Sequence, residues 1–187
     1  WDSFQNGVNK DLSDVLGNFV SRVTKFCLSK YGKKIPAGDN YGILETDLIE
    51  NLTEKFDSYT SNMKAIEIRK AAADLRTLWS MGNEYLQESA PWVAFKNDPA
   101  RAACIIRFSF NLIAFYACVS RPFIPATAKK IDLCLSLTDN KNWPTSLNNW
   151  LQKLKADHRF TVPNNLFEKL SDEKKEELKS MFSGSGA

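Results

Sequence analysis

From residue 6 to residue 30 the apolar side chains Val8, Leu12, Val15, Leu16, Phe19, Val23, Phe26 and Cys27 recur at intervals of 4, 3, 1, 3, 4, 3 and 1. A single stripe at that period predicts one long amphipathic helix. It stops at Y-G-K-K-I-P, where Gly32 can take a left-handed cap and Pro36 cannot extend the helix. Past the loop A-G-D-N-Y-G, an acidic helix is predicted over 45–60 and a third helix over 63–89. The third carries Ile68, Ala72, Leu75, Leu78, Trp79, Gly82, Tyr85 and Leu86 at helical spacing, and Pro91 stops it. The stretch A-P-W-V-A-F-K-N-D reads as a loop leading to Pro99, a good first-turn proline for a fourth helix over 99–120. That helix is apolar nearly all round, as the centre of a bundle should be. R-P-F-I-P interrupts the chain, and Pro125 opens a fifth helix over 125–137. A loop T-D-N-K-N-W-P-T-S, a short helix over 147–154 and an extended or irregular stretch H-R-F-T-V-P-N-N-L-F-E-K-L follow. Ser171 caps a last helix that has Asp172 and Glu173 in its first turn and Lys179 near its end, the arrangement the helix dipole favours. The tail S-G-S-G-A is expected to be disordered. No alternating stretch is long enough to build a sheet. The fold class is therefore all-α, a helix bundle over 1–160 followed by a C-terminal segment and helix over 161–187.

Composition agrees with that picture. In 187 residues, 43% are hydrophobic and 12 Phe, 5 Trp and 5 Tyr are present, enough for a real core and for one domain. Cys27, Cys104, Cys118 and Cys134 form no C-x-x-C pair and sit in apolar helical runs, so they read as small buried hydrophobes. With one histidine, His158, in a polar linker, no metal site is expected. Reduced thiols suit the cytoplasm. The opening W-D-S-F-Q-N-G has neither the basic nor the apolar region of a signal peptide. The most apolar run, 105–119, is broken by Arg107 and Asn111 and falls short of the roughly 20 residues of a membrane span, so no membrane partner is expected.

Charge is unevenly distributed. Residues 1–34 are net +3, 35–88 net −5, 89–130 net +5 and 131–187 neutral. If the two basic segments meet in space, they form a surface that attracts phosphate; a scattered, solvated arrangement is equally compatible with the counts.

No phosphate loop, metalloprotease motif or nucleophile elbow occurs, and the carboxylates of D-E-K-K-E-E read as a solvated face. Two features stand out instead. Asn18, Ser21, Arg22 and Lys25 follow an i, i+3, i+4, i+7 stripe on the polar side of the first helix, beside Gly17. An amide and a guanidinium one turn apart can read a base edge and touch phosphate. The ordinary alternative is that Asn18 bonds to a neighbouring helix and Arg22 bridges to an acid of the second helix. The other feature is Trp92, fixed after Pro91 and close to Lys96. An indole there can stack on an unpaired base or fold over the end of the bundle. Trp79 fits a core stripe; Trp1, Trp143 and Trp150 have no evident task beyond packing.

V-N-K-D-L-S-D-V-L-G-N-F-V-S-R, A-P-W-V-A-F-K, R-P-F-I-P-A-T-A-K-K and V-P-N-N-L-F-E-K-L, in that order, resemble the C-terminal anticodon-binding domain of methionyl-tRNA synthetases, over about residues 1–182. Related helical domains occur in the leucyl, isoleucyl, valyl and cysteinyl enzymes; the A-P-W tripeptide points to the methionyl family. The resemblance implies a helix bundle of the class I synthetase anticodon-binding type. It implies that Asn18, Arg22 and Trp92 read the anticodon of methionine tRNA, with Trp92 on the C of CAU and Asn18 and Arg22 on the bases that follow. Pro91, Lys25 and Lys96 are candidate auxiliary RNA contacts, and Arg101 is a further electrostatic candidate. Gly17 would allow close approach of a helix or of the RNA.

The resemblance also implies a part in an ATP-dependent methionine–tRNA ligase acting in the cytoplasm. The H-I-G-H-like and K-M-S-K-S-like catalytic motifs are absent and the chain opens on Trp1, so it is expected to be the portion following a catalytic domain. That domain would be its intramolecular partner and would hold ATP and, often in this family, zinc; no cofactor is expected in the 187 residues themselves, and no aminoacylation by them alone. V-P-N-N-L-F runs back toward the catalytic part in this family, so Phe160, Leu166 and Phe167 are expected to be incompletely covered. The competing expectation is a helical docking module of a synthetase assembly, with an exposed apolar patch and the acidic face at 45–57 as its contact.

Overall fold

The computed structural model describes residues 1–137 and 142–184. The predicted loop over 138–146 falls partly outside that range, and so does most of the tail expected to be disordered. Helix α1 is a continuous rod over 2–31, built of Asp2–Asn6, Gly7–Gly17 and Asn18–Tyr31. Its middle part is wound with π-type hydrogen bonding, and the Asn18 N–H reaches back to the carbonyl of Ser13. Half of its predicted stripe, Leu16, Phe19, Val23 and Cys27, is buried, while Val8, Leu12, Val15 and Phe26 are half-buried. Gly32, at φ 81°, ends the rod.

Helix α2, Ile43–Lys64, lies along α3, Ile68–Ser89. The break between them falls later than the pattern suggests, because Ile66 takes φ 61° and ends α2 before a new helix can start. Ala90 follows α3 in a left-handed conformation, at φ 39°, and Pro91 immediately opens α4, Pro91–Asn97. The segment expected to be a loop is thus a short helix with proline at its first position, where the missing N–H costs nothing. Helix α5, Pro99–Ser120, runs through the centre. From Ala102 onward it is buried throughout except at Arg107.

The two polar interruptions in α5 have partners. Arg107 Nη2 donates to the Asp39 carbonyl at 2.6 Å. Asn111 bonds the backbone of Leu154 twice, donating to its carbonyl at 3.1 Å and accepting from its N–H at 2.7 Å. By length and composition α5 could cross a membrane, but here it is the core of the bundle.

Helix α6, Pro125–Cys134, packs on α5 and stops one turn before the predicted end; α7 is the single turn Leu147–Trp150. Among the described residues there is no strand, only one antiparallel bridge between Lys34 and Arg159. His158, expected at the surface, is half-buried there. Its Nε2 meets the Leu135 carbonyl and so carries the ring proton.

After that bridge the chain runs irregularly to α8, Asp172–Phe182, capped as predicted by Ser171, whose hydroxyl accepts the Lys174 N–H. The irregular segment is clamped on α1. Asn9 donates to the Leu170 carbonyl at 2.9 Å and accepts the Leu170 N–H at 2.7 Å, and Lys169 pairs with Asp14 at 2.7 Å. Phe160 and Leu166 are buried, against the expectation, because Phe160 meets Phe110 at 4.6 Å and Leu166 joins the core. Phe167 is half-buried.

Candidate nucleic-acid interface

Helix α4 is too short to be stable alone; side-chain contacts with α1 hold it. Phe95 meets Phe26 edge-on at 6.1 Å and Tyr31 at 5.5 Å. One turn earlier, the Arg22 guanidinium lies over the Trp92 ring, 4.8 Å from its centroid. Residues seventy positions apart in the sequence are therefore brought face to face. Trp92 is half-buried, leaning on the core, and Pro91 beneath it is buried. Arg22 makes no ion pair among the described residues, so the bridge to an acid of α2 weighed as its alternative is not formed. Its fork of N–H donors remains available.

Asn18 lies one turn before Arg22 on α1 and is exposed. With Ser21 it lines a hollow of about 840 Å³ whose other wall is residues 163–169. Lys25, also exposed, borders the next groove along the same segment. The predicted stripe thus divides: Arg22 turns toward Trp92, whereas Asn18, Ser21 and Lys25 face the C-terminal segment. Gly17 makes room for that segment. A Cβ at this position would stand 3.2 Å from the Phe167 ring, so the close approach is by Phe167.

Lys96 is exposed on α4, one turn beyond Trp92. Arg101, the further electrostatic candidate, is committed internally. Its two terminal nitrogens each donate at 2.7 Å to the carboxylate of Glu45, which is fully buried and also accepts from Tyr85 Oη and the Gly42 N–H. Burial alone would raise the Glu45 pKa, but the hydrogen bonds from Arg101, Tyr85 and Gly42 together hold it below the ordinary carboxylate value. Glu45 is therefore no part of an acidic contact face. The four thiols are buried, and burial pushes Cys27 up to about 12 and Cys118 up to about 11, as inert hydrophobes should be.

A family described as the anticodon binding domain of methionyl tRNA ligase matches residues 35–187. The chain belongs to that family. Methionine–tRNA ligases of Jannaschia sp. and Paracoccus denitrificans are 53% and 51% identical to it over 184 residues, which is 98% of this chain and 32% of each relative. The chain thus spans about a third of the length of these relatives. The apo methionyl-tRNA synthetase of Mycobacterium tuberculosis superimposes with a TM-score of 0.79 over 91% of this chain and 34% of that one; at 18% identity the likeness is one of fold. The family match begins at Ile35, after α1, whereas the alignments with relatives include α1.

As an anticodon-binding domain, the chain presents some residues that sequence reasoning misses. Phe95, which pins α4, is available from the first-turn proline signal at Pro91, because α4 places Trp92 and Phe95 three apart on one face. The wall at residues 163–169 has no signal in the pattern, since irregular segments have no period to read.

Proposed function

We propose that this domain reads the CAU anticodon of methionine tRNA within a longer, ATP-dependent methionine–tRNA ligase of the cytoplasm. In that ligase a catalytic portion outside these 187 residues would carry out aminoacylation. The observation that carries the proposal is the Arg22 guanidinium lying 4.8 Å from the Trp92 ring centroid at the joint of α1 and α4. An indole face that accepts a planar guanidinium also accepts a planar base, because both are attracted by the same π surface. When a base stacks there, Arg22 can shift to the ring's edge and direct its N–H fork at a base edge or a phosphate. Asn18, one turn away, offers an amide with both donor and acceptor to the next unstacked base. The family's assignment of Trp92 to the first anticodon base, and of Asn18 and Arg22 to the following ones, fits this order along the surface. Lys96, one turn beyond Trp92, and Lys25, one turn beyond Ser21, are the auxiliary contacts to phosphate, and Pro91 sets the position of the indole.

The test is binding of tRNA bearing CAU and tRNA bearing a scrambled anticodon, at one fixed salt concentration, since affinity for nucleic acid varies steeply with salt. Trp92→Ala is expected to cost about 1–3 kcal/mol of affinity for the CAU form, with a lower melting temperature, because the ring also packs on the core, but with the helical fold intact at the binding temperature. Equal affinity of the unaltered domain for the two tRNAs would refute anticodon recognition.

A further inference from the structure

The hollow between α1 and residues 163–169 has a composition of its own. Its ion pair, Asp14 with Lys169 at 2.7 Å, is internally neutralised, and Glu168 is left without a cationic partner among the described residues. The rest of its polar lining is uncharged. A site for phosphate would be basic, so this one does not suit an RNA backbone.

Its amides are also unused. Asn9, Asn62, Asn83 and Asn111 all spend their side chains on internal hydrogen bonds. The side-chain amides of Asn18, Asn164 and Asn165, which line the hollow together, have no hydrogen-bond partner among the described residues. At about 840 Å³ the hollow lies within the size range of small-ligand sites. Its α1 wall continues, within one helical turn, into the Arg22–Trp92 pair.

We propose that this hollow seats one unstacked base carrying an exocyclic amino group, cytosine or adenine, and that Asn164, Asn165 and Glu168 read it opposite Asn18. A carboxylate accepts from such an amino group and repels the carbonyl oxygen that uracil and guanine place there. An asparagine amide pairs with the amino group and the ring nitrogen at once. The inference rests on anticodon recognition as the function and adds a second wall to it, from a part of the chain whose one lysine, Lys169, is paired with Asp14. It also gives the clamp of residues 163–170 on α1 a purpose, because that clamp fixes how far Asn164 and Asn165 stand from Asn18.

The experiment is a titration of the 187-residue chain, unaltered, as Asn164→Ala/Asn165→Ala and as Trp92→Ala, with an anticodon stem–loop at fixed salt. The RNA carries CAU, a scrambled anticodon, or CAU with the amino group removed from one base, by pyrimidin-2-one riboside for the cytidine or purine riboside for the adenosine. The double variant is expected to bind CAU about tenfold more weakly than the unaltered chain. That penalty should vanish with one of the two amino-lacking RNAs. Both asparagines are exposed, so the fold should persist, and thermal melting verifies it. The proposal is overturned if the double variant binds CAU like the unaltered chain while Trp92→Ala is weakened, or if its penalty is the same for every RNA. If the unaltered chain does not distinguish CAU from the scrambled loop, anticodon recognition falls and this proposal with it.

Discussion

At the scale of single residues, the strongest steric constraint lies away from the RNA surface. Gly38 has φ 63°, and a Cβ there would stand 2.2 Å from the backbone nitrogen of Cys104 in α5. No side-chain rotation relieves a clash with backbone, and a left-handed conformation adds its own strain for any residue with a Cβ. Gly38→Ala is therefore expected to destabilise the domain by roughly 2 kcal/mol or more, read as a lower urea midpoint with unchanged slope; an unchanged midpoint would mean that the loop re-forms elsewhere at no cost. Gly17 differs in degree, since a Cβ there would meet the Phe167 ring at 3.2 Å and the Leu12 carbonyl at 3.3 Å, tight contacts that a few tenths of an ångström relieve. The contrast marks what is legible in the sequence. Asn18 and Arg22 stand out because polar residues at helical spacing, opposite a clean apolar stripe, are assigned a face of the helix by their spacing alone. Arg101 looks equivalent by charge. Its pairing with Glu45, fifty-six positions away, is a long-range fact that no local pattern carries.

At the scale of elements, Glu45 is where three helices are joined: its own helix α2, Tyr85 from α3 and Arg101 from α5. Because its folded pKa lies below the ordinary value of 4.5, the carboxylate stabilises the fold fully above that value, and the stabilisation is lost as the pH falls through the depressed folded value. Asp74 follows the same sign, held down against burial by Ser58, Asn62 and Lys55. Glu45→Gln should therefore melt lower than the unaltered domain at neutral pH, by about 3 kcal/mol, since it leaves a guanidinium without its counter-charge. Solvent reaching Arg101, 27% exposed, puts the cost toward the low end of the range for buried pairs. The variant should also lose less stability than the unaltered domain on acidification; parallel acid limbs would show that Glu45 is not the group responsible. Elements themselves are mostly legible. The ends of α1, α3 and α5 follow from Gly32, Pro91 and Pro99. Helix α4 escapes the pattern because Pro91 reads first as a stop, although a proline that ends one helix can stand at the first position of the next.

At the scale of the whole molecule, the two basic segments do meet, where α1 and α4 carry Arg22 beside Trp92 and Lys30 over Phe95 at 5.4 Å. The census of charge overstates the result. Arg101, Arg107 and Arg121 of the second segment are occupied by Glu45, the Asp39 carbonyl and Asp132. What remains is a weakly basic surface on which planar groups and amides, more than net charge, would have to select the ligand. One wall of that surface belongs to a segment with no regular structure, so its placement depends on the clamp to α1. The Asn9 side chain supplies two of the clamp's hydrogen bonds, on Leu170, and Gln5 adds a third at 3.0 Å to the same carbonyl. The core formed by α1, α3 and α5 uses none of them. Asn9→Ala should therefore leave the bundle's melting within about 1–2 kcal/mol of the original, the worth of the bonds removed, while cleavage by added protease within 163–171 becomes markedly faster. That outcome would support the expected division of the chain near residue 160, which Leu166, part of the bundle's core cluster, argues against. A bundle that melts cooperatively lower, with no gain in cleavage at 163–171, would show instead that segment and bundle fold as one unit.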